Sequence, residues 1–322
     1  MNNSGDKRYE GIDFCKGLLI FFVILQHVYN LYGFTGNKAS EIIAWKWIQI
    51  VNMPSFFIIS GYFFYHSLSA PFRKFLIKKV NRLILPWLVC GIIVFMSQVV
   101  LKDLSLSFES LWYSLKEVWF LPQLFIIMLI TYGINKTRVP ILKIILWVVV
   151  AICAYYGLIG LGLVNIVSFS TGMLIKLLGI EKRINYKSLT VVFLLVVVQL
   201  LGYFGYYSMN YIIVHTTISI VLSLDLIMFL LWLYYHSSHY KSILALGRRS
   251  LEVYLIQKVI VEIWAFRIYH KVCVSYVGYN PLVIKQWVFE TVWAILLAIV
   301  FCIICMQMCL LWDFYRLKKS AK

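Results

Sequence analysis

An aspartate, a lysine and a histidine lie along one stripe near the start of the chain. The segment reads Gly11-Ile-Asp13-Phe-Cys-Lys16-Gly17, then an apolar stretch, then Gln26-His27. On a helix, eleven residues turn through about 1100°, close to three full turns, so Lys16 and His27 share a face about 16 Å apart along the axis. Asp13 precedes Lys16 by one turn, at ion-pair spacing. At about 21 Å from His27 on a straight helix, Asp13 is too far to orient the imidazole. A cation near one end of the stripe suits a phosphate, and a neutral imidazole deeper in suits proton transfer or acyl capture. Against this stands a bland reading, in which Lys16 snorkels to an interface and His27 satisfies a neighbouring helix.

Further polar residues interrupt apolar runs. Asn52-Met-Pro54 precedes Ser55-Phe-Phe-Ile-Ile-Ser60-Gly61-Tyr62. The proline frees a carbonyl, and Ser60-Gly61 permits close helix approach, either beside a cavity or as a packing kink. Phe72-Arg73-Lys74 runs on to Lys78-Lys79-Val-Asn-Arg82, a basic segment whose Lys79 and Arg82 are spaced to clamp a phosphorylated donor or to hold anionic lipid. Trp119-Phe120 opens one run. Another holds Ser250-Leu-Glu252-Val-Tyr254-Leu-Ile-Gln257-Lys258, with Glu262 four residues beyond Lys258 as an internal ion-pair partner. Asp225 has no sequence-local partner and is a candidate for a cavity wall.

What must position these groups is a membrane bundle. The 322 residues are 62% hydrophobic and 13% charged, with mean hydropathy +0.86. Soluble domains run nearer 25% charged, so a water-soluble globular domain is excluded, and so is a disordered chain. Apolar runs of the length needed to span a bilayer occur at 12–33, 43–65, 83–101, 117–134, 140–156, 158–178, 187–207, 210–235, 243–268 and 282–312. The expected fold is therefore all-α, a polytopic bundle of about ten transmembrane helices in a single domain over 1–322. Residues 66–82 read as a basic interfacial helix.

The net charge of +17 is distributed as membrane topology requires rather than as a nucleic-acid surface. With the N-terminus inside, the inner segments hold 21 lysines and arginines and the outer segments 7, while Lys16 and Lys258 lie within spans. That bias puts both termini in the cytoplasm. No cleavable signal peptide is expected, because the first apolar run is long and lacks a small-residue cleavage site. Of the seven cysteines, only Cys273 falls in an expected outer loop, so no disulfide framework is expected. Cys302, Cys305 and Cys309 share a helix face without His or acidic company and read as packing residues, not as a metal site.

Taken together and in order, these segments resemble the acyltransferase 3 family of membrane acyltransferases. The resemblance rests on Asp13-Phe-Cys-Lys16-Gly17…His27, Met53-Pro54…Ser60-Gly61-Tyr62, Lys78-Lys79-Val-Asn-Arg82-Leu-Ile-Leu-Pro86, Trp119-Phe120-Leu121 and Ser250-Leu-Glu252-Val-Tyr254-Leu. It implies O-acylation, most often acetylation, of sugars in surface polysaccharides or their lipid-linked precursors, in the bacterial plasma (inner) membrane. The donor implied is acetyl-CoA or another acyl-CoA, used as a substrate with no permanently bound cofactor. His27 matches the family's essential histidine, and Lys16 a basic position that is often arginine. Lys79 and Arg82 match an Arg-x-x-Arg pair, with lysine in the first place losing bidentate geometry. Gln257 stands where the family often has histidine. Asp13, Ser60, Trp119, Glu252 and Tyr254 follow as structural or cavity residues. The partners implied are membrane lipids, acyl-CoA and a carbohydrate acceptor, with no nucleic acid. The rival readings are a transporter or flippase of a glycoconjugate and a silent membrane scaffold.

Overall fold

The computed structural model describes residues 9–32, 42–101, 104–158, 160–179, 189–208, 211–236, 240–265, 267–268 and 286–320. Cys273 and several cations that set the topology reading, among them Lys7, Arg8, Lys182 and Lys271, lie outside these. The described residues are helical with no strand among them. In chain order the helices are α1 (Glu10–Tyr32), α2 (Ile43–Phe64), α3 (Phe72–Lys79), α4 (Leu85–Val100), α5 (Phe108–Glu117) and α6 (Phe120–Lys136). They continue as α7 (Pro140–Tyr155), α8 (Leu163–Leu178), α9 (Leu189–Ser208), α10 (Ile212–His236), α11 (Lys241–Arg248), α12 (Ser250–Val259) and α13 (Gln286–Ser320).

Each expected run overlaps at least one helix of the structure. Five stretches are long and apolar enough on their own to cross a membrane: 10–30, 43–67, 72–100, 212–236 and 293–314. A sixth arises if α5 and α6, bent by 74° at Val118-Trp119, count as one broken span, and shorter apolar helices include α7 and α8. The outward faces of α4, α7 and α13 expose Ile92, Met96, Ile144, Val148, Ile303 and Leu311. Large exposed apolar side chains on these faces suit a lipid surrounding better than water.

Two expectations change in detail. The basic segment is not a separate interfacial helix: α3 passes through a π-helical turn at Val80–Ile84 into α4, giving one 29-residue stretch. The run at 243–268 is broken, because α11 ends at Arg248, α12 restarts at Ser250, and a second π-helical segment follows at Ile260–Ala265.

Close packing is set by glycines. A Cβ on Gly61 of α2 would strike the Phe169 carbonyl oxygen of α8, and one on Gly172 of α8 would strike the Ile58 carbonyl oxygen of α2. The same reciprocal arrangement joins α1 to α11, with Gly17 against the Ile243 carbonyl and Gly247 against that of Asp13. Without a hydrophobic force between helices in lipid, such backbone approach supplies van der Waals contact that larger residues would forbid. The close approach expected at Ser60-Gly61 is thus the α2–α8 crossing. The core between these pairs is apolar and aromatic, with Ile20, Ile24, Val28, Phe57, Leu121, Phe169 and Val253 all but sealed from solvent.

Candidate active site

α1 carries His27 on its inward face and α2 carries Gln49, Met53 and Pro54 opposite it, around a cavity of about 380 Å³. That lies in the ~300–1,000 Å³ range of small-molecule sites. The bend between α5 and α6 brings Glu117 and Trp119 to the wall, α8 adds Asn165, and α9 and α10 add Tyr206 and Ser219. Tyr254 and Lys258 of α12 and Glu262 of the π-helical segment complete it. The intrahelical proline therefore faces the cavity, where an interrupted backbone is tolerated.

The chemistry concentrates on one side. His27 Nε2 lies 3.1 Å from Glu262 Oε1. The other oxygen of Glu262 accepts a direct bond from the Lys258 ammonium, which also lies 3.6 Å from Glu117 Oε2. Gln98 of α4 donates to Glu117 (3.2 Å), and Ser114 of α5 donates to Gln98 (2.7 Å). The line His27–Glu262–Lys258–Glu117–Gln98–Ser114 thus ties α1, α12, α5 and α4 together. Each buried charge on it touches an opposite one, as burial in low dielectric demands. Glu262 falls within a π-helical stretch, a local distortion common at functional sites.

The remaining wall mixes aromatic faces with amides. Trp119 meets Phe120 edge to face (6.3 Å), and Phe120 packs in the same way on Tyr254 (5.7 Å) and Phe57 (5.1 Å). Asn165 is held by its bond to Gln123 (2.8 Å), and Tyr206 stacks on His215 (4.3 Å). On α2, the Asn52 amide is within reach of the Leu19 carbonyl and the Val23 N–H of α1 (3.1 Å each).

Of the residues expected to do chemistry, His27, Trp119 and Tyr254 line the cavity together. The others lie elsewhere. Asp13 and Lys16 form the expected ion pair (2.8 Å), with Arg248 at 3.9 Å from Asp13, at the end of the bundle where α1 begins. Lys16 also stands over the Phe63 ring, while Lys79, from α3, stands over Phe64 and Phe75. Both cations therefore gather at the C-terminal end of α2, roughly 15 Å along that helix from Met53-Pro54. Lys79 is buried, and Arg82 is exposed on the π-helical turn that follows. Ser60 belongs to the α2–α8 crossing region. Glu252 is exposed and pairs with Arg249 (3.5 Å). Asp225 is not on the cavity wall: it accepts from Gln199 (2.7 Å), which in turn accepts from Trp47 (2.8 Å). Gln257 is fully buried, and neither of its amide atoms has a hydrogen-bond partner among the described residues.

Sequence reading paired Lys258 with Glu262 but did not bring either to His27, and it passed over Glu117 and Asn165. An intramembrane carboxylate at Glu117, beside the Trp119 already singled out, was the available signal.

Comparison with known proteins agrees with this architecture at the level of the family. A family model described as an acyltransferase domain matches residues 9–307, nearly the whole chain. Neither the curated proteins nor the solved structures yield a significant match. With an all-helical bundle, a histidine–carboxylate pair in its cavity and that match along its length, the chain belongs to the acyltransferase 3 family.

Proposed function

We propose that this acyltransferase moves an acyl group, acetyl as the first expectation, from an acyl-CoA to a hydroxyl of a cell-surface carbohydrate or its lipid-linked precursor. The observation that carries this reading is the His27–Glu262 pair opening on a cavity walled by Trp119, Tyr254 and Asn165. Aromatic faces pack on the C–H faces of sugar rings, and amides bond their hydroxyls.

With its Nε2 proton held by Glu262, the imidazole of His27 carries its lone pair on Nδ1. That nitrogen takes the proton of the acceptor hydroxyl as the hydroxyl oxygen attacks the thioester carbonyl carbon. The tetrahedral adduct collapses with cleavage of the C–S bond. The imidazolium then returns its proton to the departing thiolate, leaving an ester and free thiol. Glu262, Lys258 and Glu117 together carry one net negative charge, which the proton on His27 cancels while it is held. A preorganised charge of that kind acts strongly where water is scarce.

The donor's phosphates suit the end of the bundle where Lys16 and Lys79 gather, with the acyl arm extended along α1 towards His27. The charge bias of the sequence puts this end, and both termini, on the cytoplasmic side. The enzyme then works in the bacterial inner membrane and has the acyl-CoA as substrate, with no resident cofactor.

The test compares the purified chain with His27→Ala in liposomes, supplied with radiolabelled acetyl-CoA and a panel of methyl glycosides. Label transferred by the intact chain and lost in the variant supports the reading. Equal transfer by both removes His27 from the chemistry, and no transfer or CoA release from any acyl-CoA tried removes the donor assignment.

A further inference from the structure

The cavity holds two carboxylates that share one ammonium. Glu262 bonds His27 through one oxygen and Lys258 through the other, so a single side chain bridges imidazole and ammonium. Lys258 is 8% exposed and also reaches Glu117. Glu117 is the last residue of α5, immediately before the 74° bend, and Trp119 follows within that bend. Gln98 fixes the second oxygen of Glu117, and Ser114 fixes Gln98 while also donating to the Ser110 carbonyl (3.0 Å).

We propose that Lys258 and Glu117 are positioning residues for the transfer, through an ion-paired clasp that sets the Glu262 carboxylate against His27 and fixes the α5–α6 bend presenting Trp119 to the acceptor. This rests on His27 acting as the base. A carboxylate on a helix has free rotation about its side-chain bonds unless both oxygens are engaged. In Glu262 one oxygen is engaged by Lys258, and that leaves the other at 3.1 Å from Nε2. Without Lys258 the buried carboxylate has lost its cation. It then turns away or takes a proton, and in either form it no longer sets a negative charge against the imidazole of His27. Without the carboxylate of Glu117, Lys258 retains Glu262 but loses its tie to the bend, so the Trp119 side of the site loosens. The clasp also explains why two carboxylates and one ammonium meet within the bundle, where each charge alone would be costly.

The experiment measures kcat and the donor KM with acetyl-CoA and methyl glycosides for Lys258→Met, Lys258→Arg, Glu117→Gln, Glu262→Gln and the pairwise combinations. His27→Ala is the control for the underlying reading. Groups acting as a unit are non-additive, so removing a second member costs little more than removing the first. Lys258→Met and Glu262→Gln are each expected to lower kcat by at least about tenfold, with donor KM within about twofold, and the double variant to match the worse single. Lys258→Arg is expected to recover most of the loss. Glu117→Gln is expected to lower kcat and raise the acceptor KM, again without multiplying the loss in Lys258→Met.

Losses that multiply, or a Lys258→Met variant with unchanged kcat, overturn the clasp while leaving His27 as base. An active His27→Ala overturns the underlying reading instead. Should Lys258→Met fail to elute as a monodisperse helical protein, Glu117→Gln, which keeps the Lys258–Glu262 pair whole, makes the same comparison with Glu262→Gln.

Discussion

His27 Nε2 and Glu262 Oε1 stand 3.1 Å apart, one on the first helix and the other in a π-helical segment near the far end of the chain. A carboxylate at that distance selects the tautomer of the ring and its orientation, and it stabilises the imidazolium formed when the ring takes a proton. In hydrolases built on a histidine held in this way, replacing the carboxylate by its amide leaves the shape intact and lowers kcat by about 10⁴. The amide cannot favour the productive tautomer.

Glu262→Gln is accordingly expected to lower kcat by about 10²- to 10⁴-fold, the range associated with positioned acid–base catalysis. The donor KM should stay nearly constant, since Glu262 is remote from the Lys16 end. Steady-state kinetics with varied acetyl-CoA checks this, and a change confined to KM would contradict it.

Trp119 sits at the cavity wall beside Glu117 and packs on Phe120. Trp119→Ala is expected to raise the acceptor KM by about tenfold, consistent with loss of aromatic packing worth about 0.5–1.5 kcal/mol. Trp119→Phe should recover part of it. Acceptor saturation curves at fixed donor decide the matter, and an unchanged KM would remove Trp119 from acceptor binding.

Lys16 pairs with Asp13 and stands over Phe63, at the end of the bundle assigned to the donor's phosphates. Lys16→Ala should raise the acyl-CoA KM by about tenfold with little change in kcat. That corresponds to loss of about 1.4 kcal/mol, in the range of one charge-assisted bond. Arg82→Ala, at an exposed position, should have a smaller effect. Equal effects at both positions would point to general surface charge.

Gly61 and Gly172 hold α2 and α8 at backbone contact. Alanine at either position forces apart two helices that also carry Met53, Pro54 and Asn165 to the cavity. Each substitution is expected to destabilise the protein by about 1–3 kcal/mol, the cost of overpacking a close contact. Thermal unfolding in detergent should show the loss. An alanine variant as stable as the parent would mean that the helices separate at no cost.

By itself the amino-acid sequence determined the solvent and the course of most helices. Apolar runs of spanning length and the skew of lysines and arginines are local properties of the chain, and bilayer thickness converts them directly into spans. Helical periodicity likewise set the Asp13–Lys16 pair, the common stripe of Lys16 and His27, and the Lys258–Glu262 pair, because partners within one helix lie a fixed number of turns apart. Gly61 and Pro54 were legible as sites of close approach and backbone interruption for the same reason. Tertiary structure alone decided which groups meet across helices. His27 finds Glu262, Lys258 finds Glu117, and Asp225 turns to Gln199 away from the cavity. Tertiary structure also buried Lys79 against Phe64 and Phe75 while leaving Arg82 exposed. These outcomes depend on how helices distant in sequence rotate and cross, and glycine contacts and buried charge set that rotation only once all the partners are packed together.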